Sequence, residues 1–400
     1  SSPYYIIENS NVPSGQTLTI EPGVEIVFNG HYWLQVNGTL SCVGTSDNKI
    51  YFHGAGDTPQ GSISFDEAET APVLTHCRIE NLDDRVFFDD FEDGLWDDVW
   101  DATMESSGGA VGYVEIAVGG ANSSGSCLLV RGYESDTYVI SEAVTVSSVC
   151  KISFDMRESA SDPHCYVEVF WRKNGGEWVA ILSIGSSQYS GSTPWEYYSF
   201  DISESVSAGD QVELKLLSNV YSTSNDRDDQ WTYWDNVAIG TGGAIASNET
   251  VNISNTSIFN NAGYGIYSND NIILTNTGVS NSGGYGIYSQ SGDITLTGSY
   301  VKGSGSYGIY ANDGDLTIKN SYVTNSGAQG VYTEEVLDLD YAVIAYNAEE
   351  GIQLEGNQFS TMDNSIIWHN DNTDYEQITT TGGILNSTYS NVQGLSTFGI

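Results

Sequence analysis

The stretch GYGIYSNDNIILTNTGVSNSGGYGIYSQ, residues 263–290, contains the phrase GYGIYS twice, beginning at Gly263 and again at Gly284. Shorter relatives of this phrase occur on both sides of it, and the period of about 21–22 residues is typical of a solenoid. Within each repeat, short apolar runs are broken by Gly, Asn, Asp or Ser, too often for a helix. The pattern predicts one coil of a parallel β-helix per repeat. The central residues are Ile245, Ile266, Ile287, Ile309, Val331 and Ile352.

Aligned coils place apolar residues in two further columns, as a shared inward stack requires. One column holds Ile253, Leu274, Leu296, Ile318 and Leu339, and the other holds Ile258, Val279, Val301, Val323 and Ile344. Asparagines form a column of their own, in which stacked side-chain amides can bond one another at the strand spacing of roughly 4.8 Å. This predicted ladder of turn residues comprises Asn255, Asn276, Asn320, Asn364 and Asn386.

The coil template also fits residues 74–82, LTHCRIENL, with Leu74 and Ile79 in the apolar columns. Further upstream, TLTIEPGV from Thr17 and VNGTL from Val36 resemble the opening coils of pectin-lyase-like right-handed parallel β-helix proteins. The resemblance covers residues 1–85 and 241–400, and it implies a fold and not an activity. We therefore predict N-terminal coils in 1–85 and C-terminal coils in 241–400 of an all-β protein.

Residues 86–240 lose this period and alternate apolar with polar residues in longer runs such as CYVEVFWRK and QVELKLL. This alternation predicts an inserted antiparallel β-sandwich. DDFEDGLW from Asp89, SCLLV from Ser126, KISFDMR from Lys151 and the closing WDNVAIG resemble the MAM domain and related jelly-roll modules, although the cysteine usual beside the acidic motif is absent. The resemblance implies recognition of proteins or glycans.

The same resemblance implies a cation between the opening and closing acidic motifs, held by Asp90, Glu92 and Asp235. Carboxylate and carbonyl oxygens suit Ca²⁺. The alternative is that these three side chains are exposed charges or backbone caps. Three of the five cysteines, Cys127, Cys150 and Cys165, fall in the insert, where one disulfide is expected in an oxidising compartment.

The chain carries 12 basic and 53 acidic residues, a formal charge of −41, which opposes binding to nucleic acid or anionic lipid. No apolar run is long enough to span a bilayer, which argues against direct membrane insertion, and the sequence begins Ser-Ser-Pro. We expect a mature, secreted or cell-surface chain. Six Asn-x-Ser/Thr sites are glycosylation candidates: Asn37, Asn122, Asn248, Asn252, Asn255 and Asn386.

Catalysis is the alternative function to test, since a β-helix can support polysaccharide lyases and glycosidases. A lyase needs a base and a cationic partner for the substrate carboxylate, but residues 241–400 contain two lysines, Lys302 and Lys319, and no arginine. Asp293 and Asp315 occupy one column on adjacent coils, roughly 5 Å apart, as in a retaining glycosidase. Both follow Gly at the start of a strand, which favours turn capping.

One aromatic column is the candidate carbohydrate-binding site. Tyr267, Tyr288, Tyr310 and Tyr332 each follow an inward Ile or Val, so their rings are expected to point outward and form a stripe. Such a stripe can stack on the faces of sugars in an extended chain, or it can serve only as a ladder that stabilises adjacent coils.

These observations favour a non-enzymatic extracellular structural or adhesion protein. Neither end shows an amphipathic cap helix, so end-to-end stacking of copies into a filament is one hypothesis, and a fragment of a longer surface protein is another. Expected partners are a glycan, a surface protein or a second copy. The alternative function is a polysaccharide-active lyase or glycosidase.

Overall fold

The computed structural model describes two compact units, Ser1–Asp84 together with Thr241–Ile400, and Arg85–Gly240. The predicted boundaries at 85/86 and 240/241 lie within one residue of these limits. The described residues are all except 1, 57–59, 67, 69, 84, 90, 92–94, 97, 98, 105, 108, 109, 112, 122–125, 133–136, 147–149, 161–164, 186–190, 193, 208, 221–229, 241, 242, 357, 372–376, 383 and 394–400.

Ten short strands make up the first part of the larger unit. They are β1 (Tyr4–Ile6), β2 (Ser10–Val12), β3 (Thr17–Ile20), β4 (Glu25–Phe28), β5 (Trp33–Val36), β6 (Thr39–Val43), β7 (Ile50–Gly54), β8 (Ser62–Phe65), β9 (Val73–Thr75) and β10 (Cys77–Glu80).

The smaller unit contains longer strands, and its described residues include the 3₁₀ turn Ser203–Ser205. Its strands are β11 (Arg85–Asp89), β12 (Trp100–Met104), β13 (Ser106–Ser107), β14 (Ala110–Val111), β15 (Tyr113–Val118), β16 (Ser126–Gly132), β17 (Thr137–Ser141), β18 (Val144–Thr145), β19 (Lys151–Ala160), β20 (Cys165–Lys173), β21 (Val179–Gly185), β22 (Gly191–Ser192), β23 (Glu196–Asp201), β24 (Gln211–Val220) and β25 (Gln230–Gly240).

The remaining strands return to the short, regular pattern. They are β26 (Gly243–Ser247), β27 (Val251–Ser254), β28 (Ser257–Phe259), β29 (Tyr264–Ser268), β30 (Ile272–Thr275), β31 (Gly278–Ser280), β32 (Ile287–Ser289), β33 (Ile294–Thr297), β34 (Tyr300–Lys302), β35 (Ile309–Ala311), β36 (Leu316–Lys319), β37 (Tyr322–Thr324), β38 (Val331–Thr333), β39 (Leu337–Asp340), β40 (Val343–Ala345), β41 (Ile352–Glu355), β42 (Phe359–Asp363), β43 (Ile366–Trp368), β44 (Ile378–Thr381), β45 (Ile384–Thr388) and β46 (Asn391–Val392).

Three parallel sheets run the length of the larger unit, and each coil gives one strand to each sheet. Sheet A has 11 strands, from β1 to β46, while sheets B and C have 10 strands each, from β2 to β44 and from β3 to β45. Strands on either side of the insert are neighbours, since β10 pairs with β28 and β8 pairs with β26. The coil predicted from LTHCRIENL therefore continues directly into the coils after the insert, and the predicted parallel β-helix is confirmed.

The predicted apolar columns fill the interior of this β-helix. Ile266 pairs in register with Ile287, and the same residue type continues along sheet B. Every residue of the three predicted inward columns is exposed by 2% or less. A Leu or Ile side chain fully removed from water contributes roughly 1.5–3 kcal/mol, so these columns dominate the stability of the coils.

The asparagine column exists because the turn between sheets C and A needs a left-handed residue. Asn255, Asn276 and Asn320 have φ of 50°, 49° and 48°, a region that asparagine tolerates better than most residues. Asn276 Nδ2 donates to Asn255 Oδ1 at 3.3 Å, as a ladder predicts. The assignment of Asn386 to this column is wrong, because Asn386 lies within β45 opposite Thr361. Tyr389, with φ of 50°, occupies the turn position instead.

A buried hydroxyl ladder runs beside the asparagine column. Ser299 Oγ accepts from the Thr277 N–H at 3.1 Å and donates to the Thr297 carbonyl at 2.9 Å. The Ser299 N–H in turn donates to Ser321 Oγ at 2.9 Å. Each hydroxyl thus satisfies a buried backbone N–H of the preceding coil, which costs free energy when it is left unpaired.

The insert is an antiparallel β-sandwich, as predicted. One sheet has the order β15-β16-β25-β19-β22, with β11 on β25 and β23 on β19, and the other has the order β12-β17-β24-β20-β21, with β18 on β24. Side chains from both sheets share one core, among them the fully buried Leu128, Val167, Leu214 and Trp234. Cys127 and Cys150 are present as thiols, so the expected disulfide is not formed by either of them.

Candidate functional site

The predicted tyrosine column lies on the outer face of sheet B. Tyr267, Tyr288, Tyr310 and Tyr332 pair in register along four neighbouring strands, each one residue after an inward Ile or Val. Their rings stack almost parallel, with centroids 5.5, 5.2 and 4.2 Å apart and interplanar angles of 28°, 8° and 11°. We call these four residues the inner tyrosine column.

The inner column is less open than the sequence predicts. Tyr267 is completely buried and Tyr332 is 5% exposed, whereas Tyr288 and Tyr310 are half-buried. A second set of tyrosines packs against Tyr288, Tyr310 and Tyr332. Tyr285 contacts Tyr288 and Tyr310 at 5.5 and 5.6 Å, and Tyr307 meets Tyr310 edge-on at 5.1 Å. The four rings do form a stacked column on the outer face of sheet B, but Tyr267 and Tyr332 are buried within it and only Tyr288 and Tyr310 reach solvent.

The covering tyrosines, Tyr264, Tyr285 and Tyr307, form the outer tyrosine column. Their rings are tilted to one another by 49° and 51°, with centroids 4.8 and 5.4 Å apart, so they do not close into a parallel stack. Tyr285 and Tyr307 remain half-buried and reach solvent. The signal was present in the repeated letters GYGIY, where both tyrosines recur together, but an alternation rule applied to the strand alone misses the first.

Side chains two residues further along each strand fix the inner hydroxyls. Tyr288 Oη donates to Gln290 Oε1 at 2.6 Å, and Tyr267 Oη donates to the Asn269 side-chain oxygen. Tyr332 Oη reaches Glu334 Oε1 at 2.8 Å. A second carboxylate, Glu355, lies 3.2 Å from the same hydroxyl. The surface therefore changes from amides to carboxylates toward the later coils.

Burial raises the pKa of the phenols Tyr307 and Tyr310 in the later coils of this surface. It raises the pKa of Tyr307 to about 12, and the neighbouring Tyr310, Glu349, Glu350 and Glu355 raise it as well. The pKa of Tyr310 is raised chiefly by burial. Burial also raises the pKa of the Glu349 carboxyl, with Glu350 and Asp371 acting in the same direction. At neutral pH Tyr307 and Tyr310 are therefore neutral hydrogen-bonding rings beside acidic groups.

The predicted cation site can be followed only through Asp235. Asp90 and Glu92 lie outside the described residues. Asp235 is fully buried, and one of its carboxylate oxygens accepts the Ala121 N–H at 2.7 Å. Within the described part of the chain, no group of three or more His, Cys, Asp and Glu is arranged to hold a metal ion.

The glycosylation candidates differ in how their side chains are used. Asn37 and Asn248 donate from Nδ2 to the Asp66 carbonyl and carboxylate, both at 2.9 Å. Asn255 accepts in the asparagine ladder, Asn252 is half-buried and Asn386 is exposed. Asn122 lies outside the described residues. Glycosylation at these six positions stays a prediction.

The acid pair considered for catalysis is a pair of turn caps. Asp293 Oδ1 accepts the Asp315 N–H at 2.9 Å, and Asp315 Oδ1 accepts the Val336 N–H at 3.1 Å. Lys319 is paired with Asp338 at 3.0 Å. These contacts agree with the capping interpretation, because each carboxylate completes the backbone hydrogen bonding of the next coil.

A family model for the right handed beta helix region matches residues 289–397. This segment contains Tyr307, Tyr310 and Tyr332 of the two tyrosine columns. The larger unit is a right-handed parallel β-helix. In the described residues, no helix of the length and apolar character needed to cross a membrane is found. No curated protein matches the sequence.

Solved structures similar to part of the chain include TmCBM61 in complex with β-1,4-galactotriose, at 13% identity, covering 37% of this chain and 92% of that chain, with a TM-score of 0.27. The K1 cleaved adhesin domain of Lys-gingipain from Porphyromonas gingivalis W83 has 16% identity, coverages of 38% and 96%, and a TM-score of 0.29. The CBM22-1 xylan-binding domain of Paenibacillus barcinonensis Xyn10C has 16% identity, coverages of 39% and 94%, and a TM-score of 0.27.

Proposed function

We propose that this protein is a non-enzymatic, extracellular or cell-surface adhesion protein whose β-helix binds a neutral glycan along the outer face of sheet B. The observation that carries the proposal is the pair of tyrosine columns, in which seven rings pack together and four reach solvent: Tyr285, Tyr288, Tyr307 and Tyr310. The half-buried rings of Tyr285 and Tyr307 lie tilted at that surface. A polysaccharide is a suitable ligand because its own repeat can follow the repeat of the coils.

Ring chemistry supports a sugar as the ligand. The face of an aromatic ring is negative, and the C–H groups on one face of a pyranose are its natural partners. Parallel stacking occupies the faces of the inner column, so the tilted outer rings are the ones that can present a face. Amide and carboxylate oxygens of Gln290, Glu334 and Glu355 lie beside the rings and can accept bonds from sugar hydroxyls.

Charge supports a neutral sugar over an acidic one. Three carboxyl groups lie near Tyr307 at the later coils of this surface: Glu349, Glu350 and Glu355. The chain as a whole carries a formal charge of −41. A uronate would meet like charge there, which costs binding free energy unless a cation or arginine intervenes. The described side chains therefore favour adhesion to a neutral polysaccharide.

The test is calorimetric titration of the whole chain with cellohexaose, xylohexaose, mannohexaose and polygalacturonate. We expect the wild type to bind at least one neutral hexasaccharide, and Tyr285→Ser with Tyr307→Ser to weaken that binding about tenfold or more, equivalent to ~1.4 kcal/mol. Tyr51→Ser is the matched control, since Tyr51 is 37% exposed on sheet A. It should bind as the wild type does.

Two outcomes would overturn the proposal. Unchanged affinity of the double variant would show that sheet B is not the binding face. Release of unsaturated uronides or of new reducing ends during the titration would show that the protein is a polysaccharide-active enzyme.

A further inference from the structure

A second aromatic surface lies on sheet A and its adjoining turns, in the last coils of the β-helix. Six large side chains there, from Tyr322 to Tyr389, are exposed by 37% to 93%. Among described residues, the earlier coils after the insert reach this exposure only at Ile273, with 38%. Five of the six are aromatic. We call them the terminal aromatic patch: Tyr322 (41%), Tyr341 (60%), Tyr346 (60%), Ile366 (43%), Trp368 (37%) and Tyr389 (93%).

Three of these rings occupy turn positions that do not suit them. Tyr341, Tyr346 and Tyr389 have φ of 52°, 60° and 50°, in the left-handed region where a bulky residue is strained. Tyr341 and Tyr389 share the column of Asn320 and Asn364. Tyr346 follows Asn325 in the second left-handed column.

Asparagine is the residue that relieves this strain, and it stands in the same columns on neighbouring coils. Strained residues persist where the strain serves a task. Tyr346 stacks on His369, but Tyr341 and Tyr389 are 60% and 93% exposed, so packing does not account for them. The left-handed turn projects each ring away from the sheet, toward solvent. The pattern therefore points to rings that are kept for contact with a ligand.

The rings are spaced for an extended ligand. Tyr341 and Tyr389 are two coils apart, about 9.6 Å at the usual strand spacing, with Asn364 between them. On the other side of β40 and β43, Tyr346 stacks on His369 at 5.4 Å and 7°, and Trp368 meets the same imidazole at 5.8 Å. Rings thus flank the outer face of sheet A on both sides.

The polar groups beside the patch are hydrogen-bond acceptors with negative charge. Asp340 Oδ1 accepts from Asn364 Nδ2 at 3.2 Å, and the Asp363 carboxylate accepts from the Thr388 hydroxyl. Exposed rings next to carboxylates suit a ligand that offers C–H faces and many hydroxyl donors and carries no negative charge.

We infer that the terminal aromatic patch is a second neutral-glycan site, in which a sugar chain runs along the coil axis across Tyr341 and Tyr389. The inference does not depend on the two tyrosine columns of sheet B, which lie on a different face of the β-helix. The two sites together would hold one polysaccharide at two faces, or two polysaccharides, which suits an adhesion protein.

The test measures both the Tm and the glycan binding of a double variant that carries Tyr341→Asn and Tyr389→Asn. Because asparagine suits the left-handed turn, we expect the Tm of the β-helix to rise by about 2–4 °C. In calorimetric titration with cellohexaose, xylohexaose and mannohexaose, we expect the number of binding sites to fall and the affinity of the lost site to drop about tenfold or more. Tyr51→Ser should change neither quantity.

The outcomes separate this inference from the proposed function. A variant with the wild-type stoichiometry and affinity would overturn the inference, even if its Tm rises. Loss of all binding in this variant, with full binding in Tyr285→Ser with Tyr307→Ser, would support the patch and overturn the sheet B site. If the wild type is a dimer by light scattering and this variant is a monomer, the patch binds a second copy and the glycan assignment is overturned.

Discussion

At the scale of single residues, the hydroxyl of Ser299 carries two buried hydrogen bonds, one from the Thr277 N–H at 3.1 Å and one to the Thr297 carbonyl at 2.9 Å. Ser299→Ala leaves that N–H unpaired in the interior. We expect the free energy of unfolding of the β-helix to fall by ~1–3 kcal/mol, measured by scanning calorimetry. Ala342 stands in the same ladder without a hydroxyl, so we expect Ala342→Ser to raise the free energy of unfolding. A Tm that moves downward in both variants would contradict the ladder.

Individual residues could be placed from the sequence where the backbone conformation at a position favours one type of side chain. The left-handed turn selects Asn, so Asn255, Asn276 and Asn320 could be assigned from the sequence. The error at Asn386 arose because the last coil, which pairs Ile367 with Val392, is longer than the regular repeat, so a template of constant length shifts the register. The burial of Tyr267 could not be read from one strand, because it depends on neighbouring coils, among them the coil that carries the ring of Tyr288.

At the scale of elements, the tyrosine columns predict a loss of stability in alkali. The pKa of Tyr307 is raised to about 12 in the folded chain, above the value of about 10 expected when the chain is unfolded. The stability that the protonated Tyr307 hydroxyl contributes to the folded chain is therefore present below pH ~10 and is lost as pH rises through about 12. We expect the Tm of the β-helix to fall across this window, and Tyr307→Phe to reduce the fall. An identical pH dependence in the variant would exclude this origin.

The cation site of the insert is a second prediction at this scale. If Asp90, Glu92 and Asp235 hold Ca²⁺, millimolar calcium should raise the Tm of the insert. At a calcium concentration 100 times Kd, the free energy of unfolding should rise by ~2.7 kcal/mol. Asp235→Asn should remove the shift, while Asp101→Asn, at an exposed position of β12, should keep it. A wild-type Tm that is the same in calcium and in chelator would reject the site.

At the scale of the whole molecule, the terminal strands bear on self-assembly. Among described strands, β1, β2 and β3 pair along one edge only, and so do β44, β45 and β46. Head-to-tail stacking would pair those edges and give a filament. If copies stack in this way, negative-stain electron microscopy in millimolar calcium will show filaments with an axial repeat equal to the stacked coils. If the chain is a fragment of a longer surface protein, the microscopy will show no filaments. Single short rods in calcium and in chelator alike would rule out assembly under these conditions.

The fold of the larger unit could be predicted from sequence because its repeat is one-dimensional, so each coil such as those in 263–290 repeats the information of its neighbours. The β-sandwich could be predicted as a class, since alternation in CYVEVFWRK reports one buried face. Function could not be predicted to the same degree. Whether Tyr285 or Tyr341 meets solvent is decided by neighbouring coils, and the ligand leaves no periodic mark on the chain.

Hydroxyl-radical footprinting of the whole chain tests glycan binding on sheet B most directly, because it reports side-chain oxidation residue by residue. It is performed with and without the neutral hexasaccharide that binds most tightly. We predict that the glycan protects Tyr285 and Tyr307, which are half-buried, and leaves Tyr51 unchanged. Protection confined to side chains of the insert, with Tyr285 and Tyr307 oxidised equally in both states, would contradict the assignment of the binding surface to the β-helix.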